Sequence, residues 1–373
     1  MILEKPRIPI RSILLYGLWP GFIKILLYRM KGYRIGKGVS IGFGAVICAE
    51  RVEVGDHTSI GFLTIIRGKD VRLGPYVQIG SMTFLDTPKI EIGEGTKINE
   101  QVFVGGLQFP DSQFVVGRNC QIQQMSFLNP APSIVIGDEA GIGGHCLIFG
   151  HSSFQSLFDG YPVDFAPIEI GKGVGLAWRV FVLPGTRIGD GSKVAAGSVV
   201  SGTLPPCSLA AGFPAKIVGK APVFPKTVSN EEKVEMLRRI VAEMIRFFVG
   251  SGLTCEQHGP QYEIRKPGGR WRRSRTSWRM QVSDGDVREF ARGLGLEKLD
   301  VFLSLCEIPG DTRELLTARG TMWIDIAKKE QSRISNDLGE EVLSFLKRYG
   351  VRTLRYPQIQ TPSPLAETCR IDC

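Results

Sequence analysis

Only four histidines occur in the 373 residues, and two of them, His145 and His151, stand beside the stretch "IFGHSSFQSLFDGYPVDFAPIEI", which also carries Asp159 and Asp164. An imidazole titrates near neutrality, so it can take a proton from a hydroxyl and return it within one reaction cycle. Such a base needs a group to hold its tautomer, and Asp159 and Asp164 are the candidates; carboxylates that only solvate a loop read equally well. The other chemistry open to the pair is metal ligation. Zinc in a catalytic site asks for three protein ligands, and His57 and His258 are far off in the chain. The eight cysteines, at 48, 120, 146, 207, 255, 306, 369 and 373, form no CxxC pair, which argues for a reducing compartment over a disulfide scaffold.

What must position these residues is a repeat. Aliphatic residues recur every six positions, as Ile35, Ile41, Ile47, then Val54, Ile60, Ile66, and so on through Ile136, Ile142, Ile148 to Ile188, Val194, Val200, eight triplets in all. Glycine follows the first aliphatic of every triplet, from Gly36 and Gly55 to Gly171 and Gly189. Three residues beyond that glycine stands a small or β-branched residue, among them Thr58, Thr96, Cys120 and Ser192. The second unit repeats the pattern, with Thr64, Ser126 and Cys146. Six residues are too few for a helix but hold one short strand and a corner. Three units close a triangle, and triangles stacked as parallel strands about 4.8 Å apart make a prism on the order of 38 Å long. The aliphatics fill its axis, the small residues fit its inner corners, and Cys120 and Cys146 are read as buried fillers. The expected fold is therefore β: a parallel β-helix of about eight triangular coils over residues 35–220, with an N-terminal helical segment at 1–34 and a C-terminal α+β extension at 221–373.

The winding is interrupted twice. A short excess, "VGGLQFPDSQFV", separates Val104 from Val116, and a longer one separates Ile148 from Ile170. Both must leave the prism as loops, and long loops on a rigid scaffold commonly carry function. His151 falls at the base of the longer one.

With these motifs, and with the closing stretch "IGDGSKVAAGSVVSGTLPPCSLAAGFPAKIVGK", the chain resembles the hexapeptide-repeat acyltransferases, whose prism is a left-handed β-helix, and within them the branch that O-acetylates sugars and polysaccharides. The resemblance implies acetyl-CoA as acyl donor, a hydroxyl of a sugar or glycan intermediate as acceptor, direct transfer without a covalent enzyme species, no metal, and a homotrimer. It implies His151 as general base and Asp164 as the nearest match to the family's acidic residue. Gln123 stands where relatives carry Asn, Asn129 follows, and either could bond the substrate or the tetrahedral oxyanion. The family's Trp is replaced by Gly175 in "VGLAWR", with Trp178 three residues later. The pantetheine arm is expected along Ala177, Trp178, Ala195, Ala196, Gly197 and Ser198, and Lys216 in "AAGFPAKIV" is expected at the CoA phosphates. Two rival readings are a prism-shaped metal enzyme of the carbonic anhydrase type, using His145 and His151, and a non-catalytic trimeric scaffold.

The flanks are read from pattern alone. The apolar run Ile13 to Tyr28 is broken by Gly17, Pro20, Gly21 and Lys24, interleaves with Arg7, Arg11 and Lys24, and is shorter than the roughly 20 residues of a membrane span. It is either a helix covering the open end of the prism or a foot on an anionic membrane surface, which would place a cytoplasmic protein at the inner face of a membrane. Ser229 is expected to start a helix whose face of Val234, Leu237, Val241, Met244, Ile245 and Phe248 packs back on the prism. The stretch "RKPGGRWRRSRTSWRM" sets Arg265, Lys266, Arg270, Arg272, Arg273, Arg275 and Arg279 around Trp271 and Trp278. No nucleic-acid module surrounds it, and a solvated hairpin is expected, with nucleic acid set aside as a partner. From Asp284 to Tyr356 the pattern predicts a helix near 286–299, strands in "VFLSLCEI" and "TMWIDIA", a helix from about Asn336 to Tyr349, and a final strand. The net charge of +9 suits anionic partners, and 43% hydrophobic with 22% charged residues excludes a disordered chain.

Overall fold

The computed structural model describes residues 9–266, 277–285, 287 and 298–356, which form two compact units dividing between Thr227 and Val228. In the first unit the six-residue spacing becomes three parallel sheets. The first face runs in nine strands from Arg34–Ile35 to Thr203–Leu204, and the second in ten from Ser40–Ile41 to Ala215–Lys220. The third has eight, from Val46–Cys48 to Val199–Val200. Each strand pairs in parallel with its equivalent one coil on, as Ile60 with Ile79 and Ile98 with Ile122. This is the prism the repeat predicts. At its far end the strand Ala215–Lys220 turns back antiparallel on Ser208–Gly212, which ends the stacking.

The inner column of aliphatics, Ile41, Ile60, Ile79, Ile98, Ile122 and Ile142 on the second face, is buried throughout. The small residues at the inner corners do more than fit. The Thr58 hydroxyl donates to Gly74 O at 2.8 Å, Thr64 to Gly80 O at 2.7 Å, Thr96 to Gly117 O at 2.7 Å and Ser126 to Gly143 O at 3.0 Å. Cys120 and Cys146 take the same role, their Sγ atoms donating to Gly137 O at 3.1 Å and Ala177 O at 3.2 Å. A corner carbonyl between two coils has no strand partner, so a short side-chain donor satisfies it where water is excluded. Burial pushes the Cys146 thiol upward, which suits a filler and not a nucleophile.

The outer columns differ by face. The first face presents Arg51, Glu53, Asp70, Arg72, Lys89 and Glu91, and the second Ser40, Ser59, Gln78, Lys97 and Gln121. The third presents Ile65, Phe84, Phe103, Phe127, Leu147 and Phe181. Its phenylalanines form a stack, Phe84 to Phe103 at 5.0 Å and Phe103 to Phe127 at 4.9 Å between ring centroids.

Ahead of the first coil lie the short helical turns Ile10–Ser12 and Ile13–Gly17 and the helix Gly21–Met30. Arg7 lies outside the described residues. The helix covers the first coil: the Lys24 ammonium is wholly buried and donates to Gly42 O at 2.7 Å and Ala45 O at 3.1 Å, while the Tyr28 hydroxyl accepts from Ile47 N at 2.9 Å.

The second unit is a seven-stranded mixed sheet in sequential order from Thr254–His258 to Leu354–Tyr356. Ser229 caps the helix Asn230–Gly250 with a reciprocal capping box to Glu232. The expectation that this helix packs on the prism is corrected: its face of Leu237, Val241, Met244 and Phe248 closes on Ile264, Trp278, Met280 and Val301 of its own sheet. The sheet also begins earlier than the pattern suggested, because Thr254–His258, Gln261–Arg265 and Ser277–Ser283 join it. Val301–Ser304, Met322–Asp325, the helix Asp337–Leu346 and Leu354–Tyr356 fall where predicted, while the helix Gly310–Ala318 and the strand Glu330–Ser332 were not foreseen. In the basic stretch Trp278 belongs to the core, and Arg265 pairs with Glu263 at 3.0 Å and Glu256 at 3.4 Å. Arg270, Trp271, Arg272, Arg273 and Arg275 lie outside the described residues, as do 286 and 288–297 of the helix predicted near 286–299; Lys298 and Leu299 at its end are described and are not helical.

Candidate active site

Both interruptions leave the prism at the same corner, between the third and first faces. The shorter loop follows the strand Phe103–Val104, and the longer follows Leu147–Phe149. At the root of the longer one the chain makes a small ribbon, His151–Ser152 paired antiparallel with Asp164–Phe165. The register sets His151 across from Phe165, and their rings stack at 6.1 Å with planes 10° apart. Phe149 borders the imidazole at 6.0 Å, and Phe109, from the shorter loop, meets Phe165 edge-on at 5.4 Å. The two loops therefore close over one corner, with the imidazole beneath them.

Asn129 reaches this corner from the coil before. Its strand, Phe127–Asn129, pairs with Leu147–Phe149, and its carbonyl accepts from Gly150 N at 3.0 Å, one residue from His151. The side chain is buried and its Oδ1 has no partner; His151 Nδ1 is also buried and unpartnered. Buried polar atoms without partners are rare in folded proteins, and a bound ligand, a water or a catalytic role accounts for them. The shorter loop has to approach closely to frame them. Gly106 sits at φ +121°, and a Cβ there would lie 2.4 Å from Asn129 Nδ2, so only glycine fits. Burial disfavours the charged imidazole and holds His151 below the usual histidine range, which keeps it neutral and ready to accept a proton.

Below Asn129 in the same column lies Asp86, buried and held by Arg67 through two bonds at 2.7 and 2.6 Å. Gln108 of the shorter loop donates to the Asp86 carbonyl, which ties that loop to the prism wall.

The expected orienter is not there. Pairing places Asp164 across from Ser152, on the opposite side of the ribbon from His151, and Asp164 is exposed; Asp159 ends an exposed 3-10 turn. Gln123 is also separate. It stands at the corner between the second and third faces, where its Oε1 accepts from Asn99 Nδ2. The same corner carries Ala177, Trp178, Ala195, Ala196, Gly197 and Ser198 on successive coils. Trp178 lies over Gly144, where a Cβ would come within 2.6 Å of the indole, and 5.9 Å from the His145 ring. Gly212 N donates to Ser198 Oγ at 3.1 Å, and the adjoining pair Ala211 and Lys216 puts the exposed Lys216 beside the end of this strip. The residues read for the acyl donor thus share one corner, and His151 with Asn129 shares another; the third face lies between them. The histidines divide likewise: His57 stacks on Tyr76 at the corner between the first and second faces, so His57, His145 and His151 occupy three different corners of one chain.

Sequence reasoning missed Phe109, Phe165 and Gly106. The Gly105–Gly106 pair opening the shorter loop was the available signal. No family model matches the chain. By fold and repeat the first unit is similar to hexapeptide-repeat acetyltransferases. Among curated proteins, a Staphylococcus aureus protein named as a candidate acetyltransferase is 40% identical over 84 residues, 22% of this chain and 42% of that one. The galactoside O-acetyltransferase of Escherichia coli is 32% identical over 117 residues, covering 29% of this chain and 58% of its own length. The matched stretches thus span about half the length of these relatives. A hexapeptide-repeat acetyltransferase of Vibrio cholerae, solved with acetyl coenzyme A, aligns over 56% of this chain and 83% of its own at 19% identity and a TM-score of 0.26.

Proposed function

We propose that the protein is an O-acetyltransferase that moves an acetyl group from acetyl-CoA to a hydroxyl of a sugar or glycan acceptor. The observation that carries this reading is the pair of buried, unpartnered atoms, His151 Nδ1 and Asn129 Oδ1, under two loops at one corner. Neutral His151 takes the acceptor hydroxyl proton as that oxygen attacks the thioester carbonyl. The tetrahedral oxyanion accepts from backbone N–H groups and from Asn129 Nδ2, while Asn129 Oδ1 is free to accept from the acceptor sugar, and on collapse the imidazolium returns its proton to the departing CoA thiolate. Atoms balance without a covalent enzyme species. The small-residue strip from Ala177 to Ser198 suits a thin pantetheine arm, and Lys216 at its end suits the CoA phosphates.

Because strip and imidazole lie at different corners of one chain, the complete site needs a second copy. The third face is the apolar one, and the corner bearing the strip also exposes Phe43, Phe62, Leu63, Met82 and Met125. A homotrimer closed through this face and corner would set one subunit's His151 against the strip of the next. The test mixes purified protein with acetyl-CoA and a panel of sugar acceptors and follows thiol release. Acceptor-dependent release that His151→Ala abolishes is expected; turnover unchanged by that substitution removes the proposed base.

A further inference from the structure

The helix Gly21–Met30 is built inside out. Its one mid-helix charge, Lys24, faces the prism with Tyr28, while Phe22, Leu26 and Met30, one turn apart, face outward. A helix facing water shows the reverse arrangement. The preceding turns continue the pattern with Ile10, Leu14, Leu15, Leu18 and Trp19, and these eight side chains are between 48% and 75% exposed. Single exposed apolar side chains are ordinary, but eight in succession on one short segment mark an interaction surface.

The charge around the patch selects its partner. Residues 9–49 expose Arg11, Arg29, Lys31, Arg34 and Lys37 and hold no acidic residue, while Lys24 is buried. A second copy would bring the same positive charge to the contact and be repelled, whereas an anionic surface is attracted. An apolar, Trp-bearing face within a basic segment is the composition of a helix lying in a lipid headgroup layer. Spanning is not available to it. No single described helix is long and apolar enough to cross a membrane, the pair Ile10–Gly17 and Gly21–Met30 is bent by 114°, and the second helix is fastened to the first coil through Lys24 and Tyr28. We infer that the helical segment 10–30 docks the first unit onto an anionic lipid bilayer, lying in its surface with Leu14, Trp19, Phe22, Leu26 and Met30 inserted.

The test is flotation of the full chain with vesicles of phosphatidylcholine alone or with about 30% phosphatidylserine. Binding to the anionic vesicles is expected, weakened by raised salt because exposed charges are screened. A Trp19 emission shift to the blue, absent in Trp19→Phe, should accompany it. Phe22→Ser, Leu26→Ser and Met30→Ser together should weaken partitioning about tenfold or more. These positions are exposed, so circular dichroism and the oligomeric state should not change. Absence of binding to either vesicle, or equal binding by the triple variant, overturns the inference. A triple variant that loses self-association while the unaltered chain ignores vesicles assigns the patch to a second copy instead. None of these readouts depends on acetyl transfer.

Discussion

Phe109 and Phe165 meet edge to face at 5.4 Å, a contact that joins the two interruptions of an otherwise regular winding. The rest of each loop is held locally, the shorter by Gln108 on the Asp86 carbonyl and the longer by the ribbon at His151. Phe109→Ala removes the ring that spans them. Since Phe165 is also the ring on which His151 stacks, the loss should slow turnover several-fold and raise the KM for the acceptor more than that for acetyl-CoA. Steady-state kinetics with each substrate varied would show it; equal effects on both would place Phe109 outside acceptor positioning.

The pH profile follows from burial. His151 lies below its ordinary value near 6.5 because desolvation opposes its charged form. The neutral base therefore persists as pH falls through 6.5, and kcat/KM should decline only at lower pH. The same shift makes the folded state lose stability as pH drops from the unfolded value through the folded one, since the unfolded chain binds the proton first. His151→Gln should abolish the acid limb of activity, cut kcat by about a hundredfold or more, and flatten this part of the stability curve. An acid limb that survives in any residual activity of the variant would assign it to another group.

Gly106 offers a contrast between strain and function. Gly106→Ala places a methyl 2.4 Å from Asn129 Nδ2, whereas Gly202→Ala, at φ +72°, meets nothing within 4 Å. Both should lose about 1–2 kcal/mol of stability from the left-handed backbone alone. Only the first should also lower kcat, by displacing Asn129. Equal activity in the two variants would remove Asn129 from the proposed oxyanion contact.

The fold was legible because the repeat states it in residue types: an axis of aliphatics, corner glycines and small inner residues leave few other solutions. What the spacing could not state is that Thr96 and Ser126 are there as donors, since bond partners lie one coil away. His151 was legible because the winding breaks beside it. Asp164 was misplaced because the ribbon at His151 has an alternation of its own, which put Phe165 and not Asp164 opposite the imidazole. Gln123 stands a corner away from Asn129 on the same coil, on the corner that the proposed trimer turns toward a neighbour's His151. The outer helix surface at Phe22, Leu26 and Met30 was hidden because Lys24 reads as the polar face until its two carbonyl partners are seen.

The inner-corner donors predict a stability effect without a packing change. Thr96 Oγ1 donates to Gly117 O and accepts from Cys120 N at 3.0 Å, in a wholly buried slot. Valine already occupies the equivalent slot one coil earlier as Val77, so Thr96→Val fits by volume. It strands one donor and one acceptor and should cost about 1–3 kcal/mol, read as a lowered midpoint in thermal or urea unfolding of the first unit. An unchanged midpoint would mean that the corner bonds only replace solvent bonds of equal worth.

The separation of His151 from Ala196 by the width of the third face makes the subunit boundary testable. His151→Ala lacks the base but keeps the strip, and Ala196→Trp blocks the strip at an exposed corner but keeps the base. Each alone should be inactive. If the two are unfolded together and reassembled at equal amounts, a site built from one corner of each of two neighbours is intact whenever a base-bearing subunit adjoins a strip-bearing one. In random trimers that is half times half, about one quarter of the sites, so about a quarter of the unmodified activity should return. A site contained in one chain predicts none. Activity that stays absent after reassembly, with trimers verified by light scattering, would place the acyl donor on the same corner as His151 and overturn the proposed arrangement.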